Sequence, residues 1–179
     1  VKSLSGGPTT ITHHFASAPA VYSNVPGVVS SRAFIGDTGG RLWRIDMADT
    51  DPDDWTMTMF YDPYVQGPLD AQEDDATGTD QREPVLGAPA LALDSADGNL
   101  AVIFGNGNLD NVSGGGSAST GVFSVSEVVS GGSTVGRTVN WETVHESNER
   151  MTGDPLVFNK VAYYTTYLAD TDDACAIGT

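Results

Sequence analysis

An all-β chain, built from repeated units of four short antiparallel strands, is what this sequence predicts, on three observations. Three segments align on a proline: SAPAVY (17–22), GAPALA (87–92) and GDPLVF (153–158), with Pro19, Pro89 and Pro155 spaced 70 and 66 residues apart. Behind these prolines, short β-rich runs recur in the same order, with Gly, Asp, Asn and Pro between them. No stretch sustains a helical period over three turns.

The elements follow in order. After the proline strand comes a second run: RAFIGD (32–37), LAVIFGNG (100–107) and VAYYTTYL (161–168). The first two copies continue into a third, RLWRIDM (41–47) and GVFSVSEV (121–128), and a fourth, WTMTMFYD (55–62) and VNWETVHES (139–147). Alternation is clear in Trp55-Met57-Met59 against Thr56-Thr58-Phe60, and weaker across Val122-Phe123-Ser124-Val125. Repeated four-stranded antiparallel units are the signature of β-propeller blades. The blade-like repeats span about 17–62, 87–147 and an incomplete 153–179, all within one propeller domain over 1–179. Long loops at 63–84 and at 108–120, with its GGGSAST tract, account for a repeat longer than usual. About two and a half blades cannot close a ring, so the rest of the propeller is expected from missing chain or a neighbouring subunit. The strand around 161–167 is expected to be covered in the same way. Cys175, the sole cysteine, has no partner within the sequence.

Formal net charge is −16, from 24 acidic and 8 basic residues. That balance excludes nucleic acid and anionic membrane as partners, since both need a basic surface. No run reaches the roughly 18 apolar residues of a spanning helix, so no membrane insertion is expected. Twelve of the acids fall between Asp46 and Glu83 and read as solvated loop. No signal peptide is visible and the chain opens VKS, which reads as a processed chain or a piece of a longer one.

Candidate sites are sparse. Asp49, Asp51 and Asp53, in DTDPDD, have the alternate spacing of a calcium loop's first three ligands, but Pro52 breaks the turn and Phe60 stands where the closing Glu belongs. Asn106, Asn108 and Asp110 share that spacing and read as turn formers. His13 and His14 sit in an expected strand, where neighbours point to opposite faces and cannot chelate one ion. His145 lies between Glu142 and Glu146 with no nucleophile to serve, and no catalytic triad can be assembled. Asn111-Val112-Ser113 fits a glycosylation acceptor. Trp43, Trp55 and Trp141 are expected in the blade core or between blades.

The string GDTGGRLWRID (36–46) resembles the GDxxGxLWxxD segment in the C-terminal β-propeller of the PilC/PilY family of type IV pilus assembly and tip-adhesin proteins. VIFGNGNL (102–109) resembles that family's FGTG strand, and residues 147–179 resemble its late segment. The family's calcium loop, which precedes the GD strand, is replaced here by YSNVPGVVSSR (22–32). Ser23, Val25, Gly27 and Ser31 fall at its ligand positions, so calcium binding is not carried over and no cofactor is expected.

The resemblance implies a non-enzymatic secreted propeller domain at the bacterial cell surface, on the pilus or outer membrane. The partners it implies are minor pilins or the pilus machinery, and a surface ligand. One alternative is a quinoprotein-like propeller dehydrogenase, which would need a quinone clamp, a catalytic carboxylate and, in several such enzymes, paired cysteines. Another is a structural module of an extracellular filament or surface layer, joined through open strand edges.

Overall fold

Pro19 and Pro89 each stand just before the first strand of a sheet, where a residue without an N–H removes no ladder bond. The computed structural model describes residues 11–23, 27, 29–69, 82–94, 98–109, 119–130, 133–146 and 149–168. Strands β1 (Ala20–Tyr22), β2 (Arg32–Gly36), β3 (Leu42–Asp46) and β4 (Thr56–Tyr61) form one antiparallel sheet in chain order. Strands β5 (Ala90–Leu93), β6 (Leu100–Gly105), β7 (Gly121–Ser130) and β8 (Ser133–Val144) form a second sheet with the same order. The third unit begins with β10 (Leu156–Phe158) and β11 (Val161–Tyr163), joined by a two-residue turn. Asn159 and Lys160 in that turn have φ of 50° and 66°, the left-handed pair that matches hairpin twist. Strands β1 and β10 both lie beside β5, so the first strands of the units are neighbours, as at the axis of a propeller. The described residues form two full blades and the opening hairpin of a third.

The turn from β2 to β3 shows why the GDTGGRLW string has its residues. Asp37 is fully buried, and its Oδ1 accepts from the backbone N–H of Gly39 at 2.9 Å and of Arg41 at 3.0 Å. Its Oδ2 accepts from Trp43 Nε1 at 2.8 Å. One carboxylate therefore closes the turn and fixes the indole of the next strand. Gly40 has φ of +77°, a conformation that favours glycine, and a Cβ on Gly36 would meet the Val85 side chain at 2.2 Å. Blade two repeats the device with Asn106. Its backbone N–H donates to Gly121 O at 3.1 Å, as Asp37 N does to Arg41 O at 3.0 Å. Its Oδ1 accepts from Gly121 N at 2.7 Å, as Asp37 Oδ1 accepts from Arg41 N.

Blade packing follows from strand alternation. All six residues of β6 are buried, because both faces of the sheet are covered. Leu100, Val102 and Phe104 join the cluster shared with blade one, while Ala101 and Ile103 join Met151, Val157 and Ala162 on the side of the third unit. On the blade-one side, Tyr61 lies 6.2 Å from Phe104 and 6.0 Å from Phe123 in edge or tilted geometry. Each such aromatic pair adds about 0.5–1.5 kcal/mol beyond the area it buries. A bulge opposite Leu42/Trp43 lets consecutive Phe60 and Tyr61 both reach this cluster.

The structure corrects several expectations. VAYYTTYL is not one strand: after β11 the chain leaves β10, and β12 (Thr166–Leu168) pairs instead with β9 (Glu149–Met151). Thr152 N donates to Thr165 O at 2.9 Å, which draws the chain across to β9 and pairs residues 166–168 within the described structure. β8 begins at Ser133 rather than 139, so β7 and β8 make a long hairpin. The segment around His13 and His14 is not a strand: its ladder contact with blade one is a single bridge from Phe15 to Asp37, supported by Thr38 N donating to His14 O at 2.8 Å. The acidic loop is not wholly solvated: Tyr64, Leu69 and Val85 enter the core, and Asp62 and Glu83 are buried. Residues 70–81, Asp110, the 111–113 acceptor motif and Cys175 lie outside the described residues.

Replacing Asp37 tests the turn. Asp37→Ala strands three N–H donors and is expected to cost about 3 kcal/mol or more in denaturant melts. Asp37→Asn keeps one acceptor but can set an amide N–H against the indole, and is expected to cost about 1–3 kcal/mol. Equal and negligible losses for both variants would contradict the assigned role.

Candidate functional site

Several buried charged side chains meet along the seam between the two blades. In β7, Phe123 and Val125 face blade one, and the next residue on that face is Glu127, which is fully buried. In blade one, Arg44 follows Leu42 on the facing side, and Arg32 stands beside Phe34 in the same way. The apolar rows therefore end in one carboxylate between two guanidiniums. Arg44 Nε donates to Glu127 Oε1 at 2.6 Å, Arg32 Nη1 bonds Glu127 Oε2, and Thr134 Oγ1 donates to Oε1 at 3.1 Å. Arg44 Nη2 also bonds Asp46 Oδ2 at 3.1 Å. A buried carboxylate is tolerated only when paired and hydrogen-bonded in this way.

Beside this cluster lies a cleft of about 880 Å³ lined by residues of both blades. Arg32, Arg44 and Arg137 all line it. The Arg137 guanidinium lies 6.0 Å from the centre of the Tyr61 ring, whose hydroxyl donates to Glu142. Burial and the Glu142 carboxylate both push the Tyr61 phenol above its ordinary value, so it stays a neutral donor.

A second polar cluster ties down the loop that follows β4. Asp62 accepts from Arg82 Nη1 at 3.0 Å and from Tyr64 N at 3.0 Å, with Arg41 Nε 3.3 Å away. The Tyr64 hydroxyl accepts from Glu83 N at 2.8 Å and from Asn106 Nδ2 at 2.9 Å, linking this loop to the blade-two turn. Glu83 Oε2 accepts from Asn108 N at 2.6 Å, and burial raises the Glu83 carboxyl above its usual range.

The residues singled out in the sequence are mostly spent on local structure. Asp49 Oδ1 accepts from Asp51 N and Asp51 Oδ1 from Asp53 N, both at 2.9 Å, and Asp51 caps the 3-10 turn Pro52–Asp54. Among the described residues, no group of three His, Cys, Asp or Glu side chains is arranged to hold a metal ion. Of the loop at 22–32, residues 24–26 and 28 lie outside the described structure. Trp43 is buried and packs edge-on against Phe15 at 6.2 Å, whereas Trp55 is half-buried with Nε1 on Asp49 O at 2.9 Å. Trp141 departs from the core expectation: it is 37% exposed, because it lines an open cleft beside Val157 and Ala162. Sequence reading missed Glu127 and its arginines. The available signal was scarcity, since few cations exist in so acidic a chain, and alternation puts Arg44 on the face of Leu42.

His145 anchors the end of β8 to the strand before the third unit. Thr120 Oγ1 donates to Glu149 O, so its contact with His145 Nδ1 at 3.3 Å requires the ring N–H to be the donor. Nε2 is then an unprotonated acceptor, buried and without a partner among the described residues.

With this geometry in view, the fold can be compared with known proteins. No family model matches the sequence, and no curated protein does. The structure is similar to that of the C-terminal domain of Pseudomonas aeruginosa PilY1, with a TM-score of 0.60 and 15% identity, over 84% of this chain and 44% of that one. The fold is that of a β-propeller. The chain spans less than half the length of the domain it resembles. Among the described residues no helix is long and apolar enough to cross a membrane.

Burial lowers the His145 pKa below its ordinary value of 6.5, outweighing attraction from Glu149. A histidine with a depressed folded pKa favours folding above its unfolded pKa, and that advantage is lost as pH falls through 6.5 towards the folded value. Thermal melts of wild type and His145→Leu between pH 7.5 and about 5 should therefore converge on acidification. A constant gap across that range would contradict the neutral, buried ring.

Proposed function

We propose that this chain is part of the propeller of a PilY-like, pilus-associated protein displayed at the bacterial cell surface, and that it works by binding rather than by catalysis. The observation that carries this reading is the fold likeness to the PilY1 C-terminal domain over 84% of the chain. The GDTGGRLWRID hairpin adds local support, since its glycines, Asp37 and Trp43 all have specific tasks in the turn. Partners of this reading are minor pilins or the pilus machinery, and a ligand on another surface. It invokes no cofactor, and no calcium at 22–32.

The outer faces of the arc fit a larger ring. In the third unit Leu156 is 62% exposed and Phe158 69%, an apolar face that a following blade would cover. On blade one, Val21 is 57% exposed on the side away from blade two. Further propeller, from the same protein or a neighbouring subunit, is the occupant this reading assigns to both faces.

The test is a deletion of the coding region in a piliated host, with sheared pili fractionated from the complemented strain. Loss of surface pili, and co-fractionation of the protein with them, is the expected result. Normal piliation with no co-fractionation would contradict the reading, as would a bound quinone with dehydrogenase turnover in the purified protein.

A further inference from the structure

The cleft between the blades has properties that packing alone does not require. Three of the chain's basic residues line it, although the whole chain carries only 8 against 24 acids. Two carboxylates, Glu127 and Asp46, meet two of these cations. Arg137 lies 6.0 Å from the centre of the Tyr61 ring and opposite Glu127 in the β7–β8 ladder, and it forms no ion pair among the described residues. Arg44 commits Nε and Nη2 and has Nη1 left over, since a guanidinium carries five N–H donors. At physiological ionic strength charges beyond about 8 Å are largely screened, so these local guanidiniums, rather than the net negative charge, set the potential an entering anion meets.

The remaining walls have a mixed character. Thr56, Thr58 and Asn99 bring hydroxyl and amide groups, while Met59, Phe60 and Leu93 bring apolar surface. Ser31, also in the lining, has a buried Oγ without a hydrogen-bond partner among the described residues. The volume falls within the roughly 300–1,000 Å³ of small-molecule sites. A sugar ring matches such walls, with C–H faces for the apolar patches and a rim of hydroxyls for the polar ones. An extended peptide matches them less well, because the cleft is walled by sheet faces whose backbone groups are already paired in ladders.

We propose that this cleft binds a carboxylate-bearing saccharide of the uronic acid type, with Arg137 receiving the carboxylate and Arg44 Nη1 reinforcing it. Glu127 acts as a positioning residue, holding Arg32 and Arg44 at the mouth of the cleft while leaving Nη1 of Arg44 uncommitted. The site rests on the cleft alone and stands or falls separately from pilus association.

Calorimetric titration with digalacturonate, neutral digalactose and an aspartate-rich pentapeptide tests it. Saturable binding of digalacturonate is expected, about tenfold or more tighter than that of the neutral disaccharide. Arg137 is exposed, so Arg137→Ala should melt like wild type while weakening digalacturonate binding about tenfold, and Arg137→Lys should recover part of the loss. Amide shifts on titration should centre on Thr58 and Asn99. Absence of saturable binding, equal affinity for the neutral disaccharide, indifference to Arg137→Ala, or preference for the pentapeptide would each overturn the proposal.

Discussion

The carboxylate of Asp37, buried at the turn between the second and third strands, is the constraint on which the rest of the first blade depends. Its two oxygens hold two backbone N–H groups and one indole N–H, so turn closure and placement of Trp43 are a single event. The carbonyl of the same residue accepts from Val85 N at 3.0 Å, which brings the segment leading into blade two alongside. Blade two uses Asn106 at the matching place, and its amide adds a bond to Tyr64 of blade one. The two turns thus do more than end hairpins. They join each blade to the chain that enters or leaves its neighbour.

Between those turns and the rim, the seam changes character along one row of side chains. Phe123 and Val125 bury against blade one as an apolar core, and Glu127 then ends the row in a charge. Apolar burial supplies most of the attraction, at about 1.5–3 kcal/mol for each large side chain removed from water. The Glu127 cluster contributes specificity, because a slipped register would leave a buried carboxylate without its arginines. Gathering cations there leaves an open, charged rim beside the cleft between the blades.

Much of the architecture was legible because local chemistry and fold agree. The prolines mark first strands, the Gly-Asp and Gly-Asn pairs mark the turns, and alternation in β4 and β7 orients the faces. What was not legible depends on tertiary choice. VAYYTTYL carries strand propensity throughout, and nothing local says that it changes partner at Thr165. The acidic loop reads as solvated by composition, yet Asp62 is buried because Arg41 and Arg82 come to it from distant segments. The rim cleft was invisible for the same reason: Arg32, Arg44 and Arg137 lie on two blades and converge only once the blades pack. The Asp49, Asp51 and Asp53 spacing raised metal binding, but the spacing also suits Asx turns, and the carboxylates of Asp49 and Asp51 accept backbone bonds.

The central claim is that the two sheets are adjacent blades coupled through Glu127, and a double-mutant cycle on Arg44 and Glu127 tests it most directly. Arg44→Met, Glu127→Gln and the double variant would be compared by denaturant unfolding. Blades packed as described predict a coupling energy of about 1–3 kcal/mol, with the double variant more stable than the sum of the single losses implies. Additivity within about 0.5 kcal/mol would mean that the two side chains do not meet, and would contradict the seam and the blade arrangement built on it.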